Sequence, residues 1–128
     1  MLVIDEDKKI HLTRGDTAVI AVSAKDGEGK DAKQHTFSKG DVIRLTVYEK
    51  KRYDCIVLQK EVVAEDDVQT VDISLSRSDT KIGELINKPK EYWYEIELNP
   101  DTMPQTIIGH DKNGPKIFKL YPEGGDAE

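Results

Sequence analysis

In four stretches of this chain apolar residues recur at every second position. Residues 18–24 set Ala18, Ile20, Val22 and Ala24 on one side, and residues 42–49 do the same with Ile43, Leu45 and Val47. Residues 69–75 present Val71, Ile73 and Leu75, and residues 91–98 present Tyr92, Tyr94, Ile96 and Leu98. Successive side chains of an extended chain point to opposite faces, so each run predicts a strand with one face buried and the other wet. The fourth run is the bulkiest. It holds the single tryptophan and two of the five tyrosines, which predicts a central strand with Trp93, Glu95 and Glu97 on the face away from the core.

Shorter β-like runs fill much of the remainder, at residues 2–5, 9–13, 33–37, 55–64, 105–109 and 116–121. The last two read as a closing hairpin around residues 110–115, and 9–13 and 116–121, near the chain ends, as the sheet edges. Turns rich in Gly, Asp and Lys fall at residues 26–30, 38–41, 50–54 and 65–67. One short helix, of a turn or two, is predicted near residues 78–86. Ser76 and Asp79 have the spacing of a capping box, Ile82, Leu85 and Ile86 recur at helical intervals, and Pro89 stops the run. Gly83 weakens that helix by about 1 kcal/mol relative to alanine.

About eight or nine short strands with turns every 8–12 residues or so predict an all-β fold, an antiparallel β-sandwich of immunoglobulin-like or jelly-roll-like type. The expected organisation is a single domain over residues 1–121, followed by a flexible polar tail at 122–128.

Charge narrows the partners. The net charge of -6 in 128 residues argues against nucleic acid and against an anionic membrane surface. No run reaches the length of a bilayer span, and the N-terminus has no secretory-signal pattern. A single cysteine, Cys55, allows no internal disulfide, so synthesis in a reducing cytoplasm is expected, with later release by lysis equally compatible.

Candidate chemistry is sparse. Residues 27–32 spell GxGxxA, but no helical stripe follows and Glu28 and Asp31 would repel a pyrophosphate, so a hairpin loop is expected. Arg14-Gly15-Asp16 reads as a tight turn rather than an adhesion motif. His11, His35 and His110 stand far apart, and the acidic clusters at 5–7 and 65–67 lack the remaining positions of a calcium loop, so no metal and no cofactor are expected. Cys55 reads as a small buried hydrophobe at the start of a strand. Lys50, Lys51 and Arg52 read as a hairpin tip. With no nucleophile elbow or phosphate loop, no catalytic residue is assigned and the chain reads as a non-enzyme.

One constellation stands out, the face carrying Trp93, Glu95 and Glu97. Two residues along a strand span about 6.5–7 Å, near the low end of carboxylate separations in inverting glycosidases. Neighbouring glutamates on a flat, wet face are nevertheless expected to titrate normally. The main reading is a solvent face or partner contact, the alternative a carbohydrate-binding surface in which Trp93 stacks on a sugar beside the carboxylates, and catalysis ranks below both.

The layout resembles the N-terminal module of tail and baseplate proteins of phages and prophages of Gram-positive bacteria, the baseplate upper protein type. The resemblance rests on Leu12-Thr13-Arg14-Gly15-Asp16-Thr17, on the Gly40-Asp41 turn feeding residues 42–47, on Ile73-Ser74-Leu75 leading to Ser78-Asp79-Thr80, and on residues 92–98 followed by Gln105-Thr106-Ile107-Ile108. It implies a non-enzymatic virion structural module that docks onto other tail proteins or onto itself, with no cofactor. It assigns no site residue. Such modules usually continue into a longer region, whereas this sequence stops at Glu128.

Overall fold

The structure is a computed structural model. It describes residues 2–4, 8–26, 33–84, 86–110 and 114–123, with Val3 described in backbone only. The strands are β1 (Leu2–Ile4), β2 (Ile10–Thr13), β3 (Ala18–Val22), β4 (Lys25–Asp26), β5 (Lys33–Gln34), β6 (Val42–Lys50), β7 (Asp54–Val63), β8 (Val71–Leu75), β9 (Lys90–Leu98), β10 (Gln105–Ile108) and β11 (Lys116–Tyr121). A single helical turn, α1 (Arg77–Thr80), lies between β8 and β9.

The fold is all-β. A seven-stranded sheet runs in the order β1-β2-β11-β9-β6-β7, with β10 also paired to β9, and β3-β8 and β4-β5 form separate two-stranded pieces. Alternation carries into burial. Ala18, Ile20 and Val22 of β3 and Val71, Ile73 and Leu75 of β8 join Leu45, Val47, Tyr94, Ile96 and Leu98 of the large sheet in one hydrophobic cluster. Ile10, Leu12, Phe118 and Leu120 extend that cluster along β2 and β11. Ile20, Val22, Leu45, Val47, Ile73, Leu75, Tyr94, Ile96 and Leu98, the inward residues of the four alternating runs, are all buried.

Four expectations need correction. Residues 105–109 and 116–121 do not pair with each other. β10 pairs with Ile96 to Leu98 and β11 with Lys90 to Tyr94, so the two strands share one edge of β9 in succession. The turn after β9 sends the chain straight back. Asn99 sits there at φ 47, its amide donating to the Val42 carbonyl (2.7 Å) while its side-chain oxygen accepts from the Val42 amide (2.8 Å).

The edges are also different. β2 and β11 are internal and pair in parallel, the one parallel contact among the described strands, while β1 and β7 are outermost.

The helix is shorter than the periodicity suggests. The Ser76–Asp79 capping box forms, but α1 ends at Thr80. Arg14 donates to the carbonyls of Ile82 (3.5 Å) and Gly83 (2.8 Å), and Gly83 turns at φ 68, so Ile82 enters the core from a non-helical chain. Leu85 lies outside the described residues.

Cys55, finally, is exposed. A register shift between β6 and β7 at Val47/Tyr48 forms a bulge, and Cys55 near it adopts φ 62, which turns its side chain to solvent.

Of the expected tail, Glu123 is pinned by an ion pair with Arg14, and residues 124–128 lie outside the described set.

Candidate functional site

The outward face of the large sheet brings together residues that alternation leaves opposite the core. Cross-strand register sets Trp93 beside Tyr48 on β6 and Ile117 on β11, and Tyr48 in turn beside Ile56 on β7. This makes an apolar row across four strands. Ile56 is 58% exposed, whereas Trp93, expected to stand free, is half-buried between its neighbours. Tyr53 adds a second ring over Tyr48, stacked with centroids 5.2 Å apart and planes at 19°. The β6–β7 turn holds Tyr53 at φ 59, its amide bonded to the Lys50 carbonyl (3.0 Å) and its hydroxyl accepting from the Lys116 amide (3.1 Å). Lys50, Lys51 and Arg52 form that hairpin tip, as expected.

Next along the face is a row of Glu95, Thr46 and Gln59, and then one of Thr106, Glu97, Arg44 and Glu61. The Tyr48 hydroxyl donates to Glu95 Oε1, and Gln59 Nε2 donates to the buried Thr46 hydroxyl (3.2 Å). Arg44 bridges two elements, donating from Nη2 to Asp101 (2.7 Å) and from Nε to Glu61 (2.9 Å). The bond to Asp101, then that to Glu61, raises the pKa of Arg44 further. Burial, then the bond to Glu95, pushes the Tyr48 phenol well above its ordinary value.

Glu97 departs from the expectation of normal titration. Burial raises its pKa, the charge of Glu95 raises it further, and Arg44 offsets this in part. Both glutamates rise from the same face of one strand. The carboxylates can accept hydrogen bonds and attract cations, and the rings can stack.

The other sequence motifs serve structure or stay apart. Arg14 is buried and ion-paired to Glu123, Gly15 turns at φ 86, and the Gly15 amide donates to Thr80 Oγ1 (3.0 Å) while that hydroxyl donates to the Asp16 carbonyl (2.8 Å). The Arg-Gly-Asp turn thus ties β2 to α1. His11 bonds Tyr121, His35 contacts Asp26, and His110 is exposed elsewhere. Asp67 of the second acidic cluster accepts from the Lys39 amide (2.9 Å), and the cluster at 5–7 and the GxGxxA segment lie outside the described residues. Among the described residues no group of three or more His, Cys, Asp or Glu is placed to hold a metal, and no helix is long and apolar enough to cross a membrane.

Sequence reasoning named Trp93, Glu95 and Glu97 and missed Tyr48, Tyr53 and Arg44. Alternation in β6 does set Arg44 and Tyr48 opposite Ile43, Leu45 and Val47. Their proximity to Trp93 and Glu97 depends on strand register, which no local pattern encodes. No family model, curated protein or solved structure matches the chain.

Proposed function

We propose that this chain is a non-catalytic docking module that binds another protein through the outward face of its large sheet. The observation that carries this reading is the Ile117–Trp93–Tyr48–Ile56 row, a band of large apolar side chains on the face opposite the core, with Tyr53 stacked over it. Tryptophan and tyrosine at the centre of a patch with a polar surround are the residues that interface hot spots favour. The sequence resemblance supplies the setting, assembly onto other proteins of a phage or prophage tail or baseplate in a Gram-positive host.

Trp93 is the single tryptophan, so its emission reports occupancy of this face directly. Recombinant tail and baseplate proteins of such a phage are titrated against the chain. A saturable shift in Trp93 emission, lost in Ile56→Asp, supports the reading. Binding that Ile56→Asp leaves unchanged places the contact elsewhere and overturns it. The carbohydrate reading keeps one supporting observation, aromatic rings beside carboxylates. It requires glycan-array binding that Trp93→Ala abolishes.

A further inference from the structure

One part of the face, away from the Lys50–Arg52 hairpin tip, is acidic. Two adjacent rows and the loop beside them carry Glu95, Glu97, Glu61 and Asp101, four carboxylates against the one guanidinium of Arg44. Arg44 is committed to Glu61 and Asp101, at the far side of these rows from Trp93. Glu95 takes its hydrogen bond from a neutral phenol, and Glu97 accepts no hydrogen bond among the described residues. The rings of Trp93 and Tyr48 stand in the row next to Glu95, with Glu97 one row further along the same face. Aromatic faces attract cations, and a partly desolvated carboxylate pair does so more strongly.

Resting on the docking reading, we infer that the partner segment received by this face is basic, and that it seats an arginine against the Trp93–Tyr48 row with its guanidinium on Glu95 and Glu97. Arginine suits the place better than lysine. Its planar group stacks on a ring while its forked donors reach two carboxylates. The charge of Glu95, one of the causes that raise the pKa of Glu97, also favours a cation between the two carboxylates, whereas burial, the larger cause, does not. A second copy of this chain is a poor occupant, because it brings a net charge of -6 and the same acidic face. Nucleic acid and anionic lipid fail by the same sign argument.

Short peptides serve as probes: hexa-arginine, hexa-lysine, a neutral Gly-Tyr repeat and hexa-glutamate, each followed by Trp93 emission at low and high salt. The variants are Glu95→Gln/Glu97→Gln and, as a control on an exposed acidic bend, Glu65→Gln/Asp66→Asn. Thermal melts establish that both variants fold. The expected result is saturable, salt-sensitive binding in the order arginine, lysine, then neutral, with the Glu95/Glu97 variant weakened about tenfold and the control unchanged. Equal weakening by the control means diffuse attraction to an acidic protein and overturns the inference. If the neutral aromatic peptide binds as well as hexa-arginine and Ile56→Asp abolishes both, the docking face stands and the basic partner falls. If no probe or tail protein perturbs Trp93, both fall. A dimer in sedimentation that Ile56→Asp dissolves replaces the basic partner with a second copy.

Discussion

The Lys60 ammonium lies 3.0 Å from a carboxylate oxygen of Asp79, joining the outermost strand of the large sheet to the cap of α1. Lys60 pairs with Leu45 in register, on the inward side of β7 between Leu58 and Val62. An inward-facing lysine on an edge strand is a recognised guard against edge-to-edge pairing, because a second strand would bury its charge.

Replacing Lys60 with valine is therefore expected to release self-association. The substitution leaves the inward stripe of β7 apolar without interruption from Leu58 to Val62, along the outer edge of the sheet. Sedimentation velocity over a concentration series should show association for Lys60→Val and none for Lys60→Arg. A valine variant that sediments like the parent would mean that the bulge opposite Val47/Tyr48 guards the edge unaided.

Asp79 gives a pH signature. Its pKa is lowered below 3.8, chiefly by the hydrogen bond from the Ser76 backbone and then by Lys60 and the Ser76 side chain, against an opposing effect of burial. A depressed folded-state pKa contributes stability that is fully present above the ordinary value and disappears as pH falls through the folded one. Asp79→Asn, which keeps an acceptor for the Ser76 amide but removes the charge facing Lys60, should lower stability at pH 7. Denaturant melts of variant and parent should converge as the pH drops below that range.

Glu97 has the opposite sign. Its folded pKa lies above 4.5, so ionisation opposes the native state, with no effect below the ordinary value and the full penalty above the folded one. Glu97→Gln should raise the melting temperature at pH 7 and leave it unchanged at pH 3. A lower melting temperature at pH 7 would mean that Arg44 attracts the carboxylate more than burial and Glu95 oppose it.

Ile96 has no exposed surface, whereas Val19 is 53% exposed on the outer side of β3. Ile96→Ala should destabilise by about 2–5 kcal/mol, and Val19→Ala should stay within about 0.5 kcal/mol. Equilibrium unfolding of the pair tests the assignment of faces.

Arg14→Met should cost about 1–3 kcal/mol for the buried Ile82 carbonyl it leaves unpaired, and less for the Gly83 carbonyl and Glu123, which water can reach. Lysine should not rescue it, since one ammonium cannot reproduce a fork to three acceptors. Gly15→Ala should cost about 1–2 kcal/mol because its φ of 86 is hostile to a Cβ. Chemical denaturation measures all three.

Alternation made the faces legible, since burial on one side leaves a period-two trace in β3, β6, β8 and β9. That is why Trp93, Glu95 and Glu97 could be grouped beforehand. Tyr48 and Arg44 could not be joined to them, because their place depends on which strand pairs with β9 and in what register. The closing hairpin failed for a related reason. Local spacing favours sequence neighbours, and nothing local reveals that β10 and β11 both fit along nine-residue β9. The helix was overextended because Ile82 faces the core whether or not it is helical, and the competing donor, Arg14, lies 68 residues away.

β11 lies between β2 and β9, so within the large sheet β1 and β2 reach β9, β6 and β7 only through a strand about a hundred residues further along the sequence. A chain still emerging from the ribosome can pair β6 with β7 and β9 and can form β3 with β8, but β1 and β2 have no route into that sheet until Tyr121 is out. Completion of the sheet therefore waits on β11 and is dominated by contacts between distant parts of the sequence, the arrangement associated with slow folding. In that interval β2 waits with an open edge, and it is the newborn chain, more than the finished one, that is exposed to mispairing.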